Sequence, residues 1–437
     1  MEPAIIIFWV SFSILFFCYI GYGGLLFLLN QVKKAFSKEK NQVSVAEWPA
    51  VTMIIAAYNE AAILPGKLDN TLAIDYPAEQ FRVIVVTDGS TDGSEKIIGE
   101  YKNVVSLHHP QRQGKLAAIG RAMEQVKTGI VVFSDANTML NKECLKRIVV
   151  HYNNPKIGGV AGEKKIISSS QGSAIGEAEG IYWKYESFMK KQDSDFHTVV
   201  GAAGELFSIR TELFQPSSSQ LLLDDFIISM QVCLRGYKIK YEPGAFATEF
   251  PSASLQEEAK RKIRISAGAY QSIGYLKECF NFFKHFWLSF QYISRRLLRW
   301  IFCPWMLLIL FFANVFIVLY SESPTFYVWF LAIQSFFYII AFVGWIFISR
   351  VKSMGIITVP FYFLFMNYCL IRGFIRFLTN SQPVLWERSE RQKEKPPPCP
   401  GSRFRFLGDA GRPGEATCRD PALPNIWRTT PAAEGSG

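Results

Sequence analysis

The sequence predicts an α/β domain, built on a doubly wound and mostly parallel sheet, that is flanked by membrane-spanning helices. Between residues 50 and 275, short apolar runs alternate with helical patterns, as they do where helices connect the strands of a parallel sheet. Long apolar segments lie before and after this region. A helix needs ~20 apolar residues to cross a bilayer, so these segments predict a membrane protein.

The first apolar segment covers residues 4–29 almost without interruption. It is too long for the apolar part of a signal peptide, and it has neither a basic start nor a clear cleavage site. We therefore predict that residues 1–30 are a transmembrane anchor.

The carboxyl-terminal region, residues 300–380, is predicted to contain two or three further spans. The apolar segments there are 300–320, 325–349 and the weaker 356–370. Arg372 and Arg376 follow the last segment, and two cations beyond it argue against a complete fourth crossing.

The formal net charge of +10 could indicate a nucleic-acid partner, but most of the basic excess adjoins the apolar segments. Basic residues beside a span mark its cytoplasmic side, so residues 31–299 are predicted to be cytoplasmic. No nucleic-acid-reading motif is evident, and we expect no nucleic-acid partner. The flanking cations are Lys33, Lys34, Lys38, Lys40, Arg295, Arg296, Arg299, Arg350 and Lys352.

The elements of the α/β domain, residues 50–275, follow from the change of hydrophobic period along the chain. Short apolar runs rich in Val and Ile predict buried strands. The strands are expected at 51–57, 82–87, 104–109 and 130–134, and the helices at 60–72, 92–101, 114–126, 141–152 and 172–191. A mixed region at about 200–250 would complete the domain.

Two segments outside the domain have distinctive compositions. Residues 276–299 mix aromatic with basic side chains, which is typical of an amphipathic helix lying in the membrane interface with lipid as its partner. The alternative is a buried connecting helix. Residues 390–437 change abruptly to Pro, Gly, Arg and Ala, so we predict a disordered tail. A frame-shifted or artificially added end would have this composition.

Asp135 ends the strand at 130–134, and Asn137 lies two residues further on. The carboxyl ends of the strands are where open α/β sheets bind ligands, and carboxylate and amide oxygens suit a hard cation. We predict that these two residues hold Mg²⁺ or Mn²⁺ against a nucleotide diphosphate. The alternative is that Asp135 turns the chain and caps a helix starting near Asn141.

Polar residues also follow the first two strands. Glu60 comes after the strand at 51–57, and Asp88 follows the strand at 82–87, where its carboxylate could accept hydrogen bonds from a base or ribose. Lys115 opens the next helix after a glycine, which offers a cation and backbone donors to a phosphate.

Seven short motifs occur in a specific order along about residues 50–270. They are AAYNE (56–60), TDGSTDGS (87–94), QGK (113–115), SDAN (134–137), GAAGELFSIR (201–210), LDDF (223–226) and RKIR (261–264). With its flanking spans, the chain resembles the family 2 inverting GT-A glycosyltransferases of the cellulose synthase, hyaluronan synthase and poly-N-acetylglucosamine synthase superfamily. The resemblance implies a GT-A fold.

The resemblance also implies roles for individual residues. Asp225 would be the catalytic carboxylate, and Asp135 and Asn137 would hold the metal. The nucleotide-sugar donor would contact Ala57, Glu60, Asp88, Lys115, Asp135, Arg261 and Arg264. The acceptor would contact Gly201, Ala202, Ala203, Gly204 and Asp224.

The chemistry of sugar transfer requires residues of these types. An acceptor hydroxyl loses its proton as it attacks the anomeric carbon, so a nearby carboxylate such as Asp225 can serve as general base. The departing diphosphate gains charge, which a metal and Arg264 would stabilise. One direct displacement inverts the anomeric centre and gives a β-linkage from the usual α-linked donor.

Simpler structural interpretations exist for the same residues. Asp224 and Asp225 could cap a helix at 226–234. The basic residues of RKIR could form a solvated helix face or a membrane-surface patch. They are Arg261, Lys262 and Arg264.

The chain departs from the family pattern at three positions. Asn137 replaces a second Asp, which removes one charge from the metal site but keeps a carbonyl oxygen. Arg261 and Ile265 stand where the processive synthases have Gln and Trp. The missing Trp argues against synthesis of long chains.

We therefore predict an enzyme of the bacterial inner (plasma) membrane whose catalytic domain faces the cytoplasm. It would transfer a sugar from a nucleotide sugar, in our prediction a UDP-sugar, to a growing and exported β-linked polysaccharide, with accessory subunits as further candidate partners. One alternative is transfer of a single sugar to a polyprenyl-linked lipid. Another is a catalytically inactive membrane scaffold.

Overall fold

The computed structural model describes residues 2–36, 47–167, 174–215, 221–348 and 355–379. The tail predicted at 390–437 lies outside these residues. The strands are β1 (Val51–Ala57), β2 (Phe81–Asp88), β3 (Val104–His109), β4 (Ile130–Asp135), β5 (Met139–Leu140), β6 (Ile157–Ile166), β7 (Phe207–Arg210) and β8 (Lys238–Glu249).

The helices of the domain alternate with these strands, and those at the two ends of the chain are longer and more apolar. They are α1 (Glu2–Phe16), α2 (Tyr22–Phe36), α3 (Leu64–Leu72), α4 (Ser94–Gly99), α5 (Lys115–Met123), α6 (Cys144–Val149), α7 (Ala174–Phe196), α8 (Asp224–Leu234), α9 (Leu255–Tyr275), α10 (Phe282–Tyr292), α11 (Cys303–Tyr320), α12 (Thr325–Phe347) and α13 (Thr358–Leu378). Segments of π-helix, Phe17–Gly21 and Ile293–Phe302, join α1 to α2 and α10 to α11.

The eight strands form one sheet in the order β3-β2-β1-β4-β7-β6-β8-β5. Parallel pairing joins β1 to β2, β1 to β4, β2 to β3 and β6 to β8, whereas β7 is antiparallel to both β4 and β6. The predicted doubly wound, mostly parallel sheet is thus confirmed. The chain order reverses between β1 and β4, so a crevice for ligands is expected at the carboxyl ends of these strands.

Alternation of apolar side chains explains why the strands form a central sheet. All seven residues of β1 are buried. Ile54 and Ala56 pack into one hydrophobic core, and Met53 and Ile55 pack into another. Because successive side chains of a strand point to opposite faces, the sheet is covered on both faces and its strand ends are held in fixed register.

In the part of the chain that the structure describes, four helices are long and apolar enough to cross a membrane. They are Glu2–Phe36, Phe282–Tyr320, Thr325–Phe347 and Thr358–Leu378. The last one extends beyond the predicted segment 356–370 and contains Arg372 and Arg376, so these cations do not end it as the sequence suggested.

The predicted break between an interfacial helix at 276–299 and a span starting at 300 is wrong. Helical segments follow one another from Phe282 to Tyr320, with a kink at His285, and helical backbone passes through residue 300 in the segment Ile293–Phe302. On the first turns after Phe282, Phe283 and Trp287 are exposed, as expected of an interfacial face, while Tyr292 and Arg295 are buried. The predicted interfacial helix and its buried alternative therefore each describe one side of the same helix.

Buried ion pairs join this helix to α7 of the α/β domain. The Arg295 guanidinium lies 3.0 Å from a Glu186 carboxylate oxygen and 2.9 Å from one of Asp193. Arg299 contacts Glu186 at 2.7 Å. Removing one partner of such a buried pair is costly, so these contacts fix the domain to the membrane region.

Helix α13 packs closely on α9 because Gly373 has no side chain. A methyl group at Gly373 would lie 2.3 Å from Ser266 Cβ and 2.9 Å from the Ala267 backbone nitrogen. The Tyr362 hydroxyl of α13 also donates a hydrogen bond of 2.8 Å to Glu258 of α9. This contact forms the membrane-side wall of the cavity described below.

We expect Gly373→Ala to lower the Tm of the detergent-purified protein, because overpacking a close contact costs about 1–3 kcal/mol. Gly274→Ala in α9 is the matched control, since no atom lies within 4 Å of the added methyl group. Alanine favours helix formation over glycine, so the control should keep its Tm or gain slightly. Equal melting temperatures for the two variants would contradict the packing described here.

Candidate active site

A cavity of about 600 Å³ lies between the strand ends of the sheet and the membrane-side helices. All four residues of the loop Gly201–Gly204 line it. Gly201 has a φ of +86°, and a Cβ there would meet the Phe226 ring at 2.0 Å, so the loop requires glycine at this position. Further lining residues that the sequence singled out are Glu60, Lys115, Asp135, Asn137, Asp224, Asp225, Arg261, Arg264 and Ile265.

Asp135 ends β4 at the point where the strand order reverses, and its carboxylate accepts a hydrogen bond of 2.7 Å from the Lys115 ammonium. Lys115 is the first residue of α5, and its ammonium also lies 3.7 Å from Asp224. Burial alone would lower the pKa of Lys115, but Asp135, Asp224 and Asp225 raise it. Asp135 therefore already holds a cation. The predicted alternative that Asp135 caps the helix starting near Asn141 is wrong, because Glu143 stands at the N-cap of α6.

Three predicted functional groups converge beside Gly204. A methyl group added at Gly204 would lie 3.2 Å from the Lys115 ammonium, 3.3 Å from Asp225 Oδ2 and 3.6 Å from Asp135 Oδ2. These residues come from the consecutive elements α5 and β4 and from α8, which is far from both in sequence. The absence of a side chain at Gly204 thus leaves space where a cation site and a second carboxylate face each other.

Asp225 lies in the first turn of α8, where its Oδ1 accepts a hydrogen bond of 2.8 Å from the backbone N–H of Phe226. Burial and the neighbouring Asp224, opposed by Lys115, together raise the pKa of Asp225 to about 7. A carboxylate with a pKa near neutrality can accept a proton during a reaction. The helix-capping alternative accounts for the Oδ1 contact but not for Oδ2, which faces the cavity.

Arg264 on α9 also lines the cavity. Among the residues that the structure describes, its guanidinium has no hydrogen-bond or ion-pair partner. Burial lowers its pKa, Arg261 lowers it further, and Asp224 and Asp135 raise it. An unpaired guanidinium in a cavity is suited to bind an anion.

Arg261, predicted to contact the donor, is instead held in ion pairs. Its guanidinium lies 2.8 Å from Glu179 and 3.1 Å from Glu258. Arg261 is only 7% exposed and Lys262 only 4%. The alternative of a solvated helix face is therefore wrong for both residues.

Asp88 is directed into the protein rather than towards the large cavity. Its Oδ2 accepts hydrogen bonds from the backbone N–H groups of Gln113 and Gly114, at 2.9 and 2.6 Å, and its Oδ1 pairs with Arg121 at 2.6 Å. Asp88 and Ala57 line a second, small pocket. Asp88 thereby fixes the loop that presents Lys115.

Asn137 belongs to a buried network that the sequence did not reveal. Its amide donates a hydrogen bond of 2.9 Å to Glu249, which leaves its carbonyl oxygen for another ligand. Lys164, on β6, joins Glu249 to Glu205 through ion pairs. Because Glu205 follows Gly204, the network connects the predicted metal ligand to the loop beside the carboxylates.

Lys67 is a second residue that the sequence analysis missed. It is fully buried, and its ammonium donates hydrogen bonds of 2.8 Å each to Ser134 Oγ and the Thr138 carbonyl. Burial lowers the pKa of Lys67 to about 7, although Asp135 opposes the shift. Lys67 braces the turn that carries Asp135 and Asn137. The sequence did not indicate this role, because a lysine within a helical pattern has no distinguishing feature.

Asp135 and Asn137 supply too few ligands to hold a divalent cation alone, and a bound ligand would have to complete its coordination. Within the described ranges, no group of three or more His, Cys, Asp or Glu residues could hold a metal ion. Asp135 and Asn137 offer one carboxylate and one carbonyl oxygen, and the Lys115 ammonium already shows that a cation fits there. Mg²⁺ is commonly held by one or two carboxylates together with substrate phosphates and water.

The sheet, with polar residues gathered at its strand ends, is typical of the GT-A fold. Residues 52–216 match the sequence model of glycosyl transferase family 2. Over these residues the chain is therefore similar to the family 2 glycosyltransferases. With its four apolar helices, it is an integral membrane protein.

Among curated relatives, the poly-beta-1,6-N-acetyl-D-glucosamine synthase of Staphylococcus aureus (strain COL) is 25% identical over 275 residues, which cover 60% of this chain and 64% of the relative. The synthase of Staphylococcus epidermidis is 25% identical over 234 residues, 51% of this chain and 55% of the relative. The matched part is thus less than two thirds of either relative.

A solved structure shares the fold. It is a mannosyltransferase from Pyrobaculum calidifontis in complex with GDP-Man and Mn²⁺, with a TM-score of 0.61 and 18% sequence identity. The match covers 86% of this chain and 100% of the mannosyltransferase.

The raised pKa of Asp225 predicts a pH dependence of sugar transfer. Asp225 must be ionised to accept a proton, so kcat/KM should rise with pH through about 7 and level off above it. In Asp224→Asn one neighbouring negative charge is lost, so the pH at which kcat/KM rises should fall by roughly one unit. Asp75→Asn, an exposed surface control, should leave that pH unchanged. An Asp224→Asn profile that coincides with wild type would contradict this electrostatic coupling.

Proposed function

We propose that this chain is an inverting glycosyltransferase that transfers a sugar from a UDP-sugar to a growing, exported β-linked polysaccharide. The observation that carries the proposal is the convergence of Lys115, Asp135 and Asp225 beside Gly204. A cation site for the leaving diphosphate and a carboxylate for the acceptor hydroxyl then share one cavity. Inverting transfer needs both groups on opposite sides of the anomeric carbon.

On the donor side, Asp135 and Asn137 would hold Mg²⁺ or Mn²⁺, which when bound would stabilise the charge on the departing diphosphate. Lys115 would leave Asp135 and contact the phosphates. The unpaired guanidinium of Arg264 would do the same from α9. The small pocket near Ala57 and Asp88 would take the base, and Glu60 would face the donor from the end of β1.

On the acceptor side, the loop Gly201–Gly204 would hold the sugar that carries the attacking hydroxyl. Asp225 would accept its proton while the acceptor oxygen bonds to the anomeric carbon and the bond to the diphosphate breaks. Asp224 would keep the pKa of Asp225 high enough for this transfer. A single displacement of this kind inverts the anomeric centre.

The charges beside the spans support a cytoplasmic catalytic domain in an inner membrane. Lys33 and Lys34 lie in the last turn of α2, and Arg295, Arg296 and Arg299 lie in the segment Ile293–Phe302, directly before the apolar helix α11. The staphylococcal relatives, which are named as polysaccharide synthases, support a polysaccharide product. Accessory subunits are compatible with these features.

Transfer of one sugar to a lipid-linked acceptor is the second candidate. Two observations favour it: Ile265 stands in the cavity where processive synthases have Trp, and the cavity extends to Phe363 and Met366 of the membrane helix α13. Both candidates share the donor site and Asp225. The size of the product separates them.

The proposal is tested with purified protein in nanodiscs, Mn²⁺ and a panel of labelled UDP-sugars. We expect one donor to give a product that a β-specific glycosidase degrades. Asp225→Asn should lower kcat by about 10²–10⁴-fold, the usual contribution of a general base, while calorimetry shows unchanged UDP affinity. Asp195→Asn, a charge-neutralising change outside the cavity, should stay active.

Two results would overturn the proposal. Full transfer activity in Asp225→Asn would remove the base from the mechanism. UDP binding without transfer from any donor would instead support an inactive membrane scaffold.

A further inference from the structure

The two walls of the cavity carry opposite charge. The wall formed by strand ends, their loops and the start of α8 presents six acidic residues and one basic residue, Lys115. The wall formed by helices α7 and α9 and the segment Ile293–Phe302 presents six basic residues and one acidic residue, Glu186. The basic residues are Lys190, Arg261, Lys262, Arg264, Arg296 and Arg299.

The basic charge of this helical wall is only partly balanced. In the described part of the chain, Arg295, Arg296 and Arg299 all rely on Glu186, at 3.0, 3.6 and 2.7 Å, and only Arg295 has a second carboxylate partner. Holding unbalanced charge away from water is costly. A ligand anion would remove that cost.

Lys190 adds a further cation to the same wall. It is 3% exposed, and within the described ranges its ammonium has no hydrogen-bond partner. The ammonium lies 5.4 Å from the ring centre of Trp183 and 6.0 Å from that of Tyr241. Aromatic faces offset only part of the solvation that a buried ammonium loses.

The unbalanced cations lie beyond the donor site, on the way to the membrane. The Arg296 guanidinium is 5.8 Å from the ring centre of Phe226, which directly follows Asp225 in the chain. Past Arg296, the cavity continues to Tyr19 in the segment Phe17–Gly21 and to Met366 on α13. An amphiphile could therefore lie with its anion at Arg296 and its apolar part among membrane helices.

We propose that the helical wall binds the phosphate group of a lipid-linked sugar acceptor. The phosphate lies at Arg296 and Lys190, the sugar points towards Asp225, and the lipid chain lies along Met366 of α13, at the end of the cavity that Tyr19 closes by its contacts with Asn367 and Phe363. This inference rests on the proposed function and names the acceptor that starts the reaction. The acceptor phosphate stays unchanged while the sugar hydroxyl forms the new bond and gives its proton to Asp225.

The test measures binding of farnesyl phosphate to the purified full chain in detergent, with saturating UDP and Mn²⁺ so that the donor end is filled. We expect farnesyl phosphate to bind under these conditions and farnesol to bind far more weakly. Lys190→Gln and Arg296→Gln should each weaken binding about tenfold, since each removes a charged hydrogen-bond donor. Lys191→Gln, which changes the adjacent exposed lysine, should bind like wild type.

A further variant separates charge from folding. Arg296→Lys keeps the positive charge and should recover most of the affinity that Arg296→Gln loses. Thermal unfolding curves for each variant identify any loss that comes from misfolding. A folded Lys190→Gln protein with wild-type affinity would overturn the inference.

Four other outcomes would also overturn it. Equal affinity for farnesol would show that only the apolar chain is recognised. Equal affinity for inorganic phosphate would show a site for free phosphate instead of a lipid. Loss of binding when UDP is added would identify the donor site as the anion site. Sugar transfer to a soluble primer without lipid-phosphate binding would refute this inference and leave the proposed function intact.

Discussion

The ion pair between Lys115 and Asp135 is the interaction on which the rest of the active site depends. It joins the end of β4 to the start of α5 at the point where the strand order reverses. Asp88 holds the loop before Lys115, and Lys67 braces the turn after Asp135. The ends of β2 and β4 are thus held in place next to the space beside Gly204. Because Gly204 has no side chain, this space is free for a ligand.

The cavity can be understood as a separation of charge between a sheet and a set of membrane-anchored helices. Carboxylates on the sheet side suit a metal ion and a proton acceptor, whereas cations on the helical side suit phosphates. The buried pairs of Arg295 with Glu186 and Asp193 hold the segment Ile293–Phe302 against α7 within the helical side. Both sides line the cavity, so neither wall forms a complete site alone.

Local patterns in the sequence predicted the sheet, because strand period and buried apolar runs depend on near neighbours. They also predicted Asp135 and Lys115, while the resemblance to family 2 glycosyltransferases predicted Asp225 and Arg264, and the fold brings all four residues to one cavity. Glu249 and Lys164 were missed because their pairing with Asn137 joins residues far apart in the chain. The helical path through residue 300 was missed for a related reason: polar residues that interrupt its apolar pattern, such as Arg295, are satisfied by α7 rather than by water.

The most direct test of this account is a titration of Mn²⁺ followed by electron paramagnetic resonance, comparing wild type with Lys115→Met. If the ammonium occupies the position of the metal, the variant without nucleotide should bind Mn²⁺ about fivefold more tightly, since an ion pair of ~1 kcal/mol no longer competes. With UDP present the variant should bind the nucleotide more weakly, because a phosphate contact is lost. Asp135→Asn should weaken Mn²⁺ binding in both conditions. Unchanged or weaker binding of Mn²⁺ alone by Lys115→Met would contradict the account.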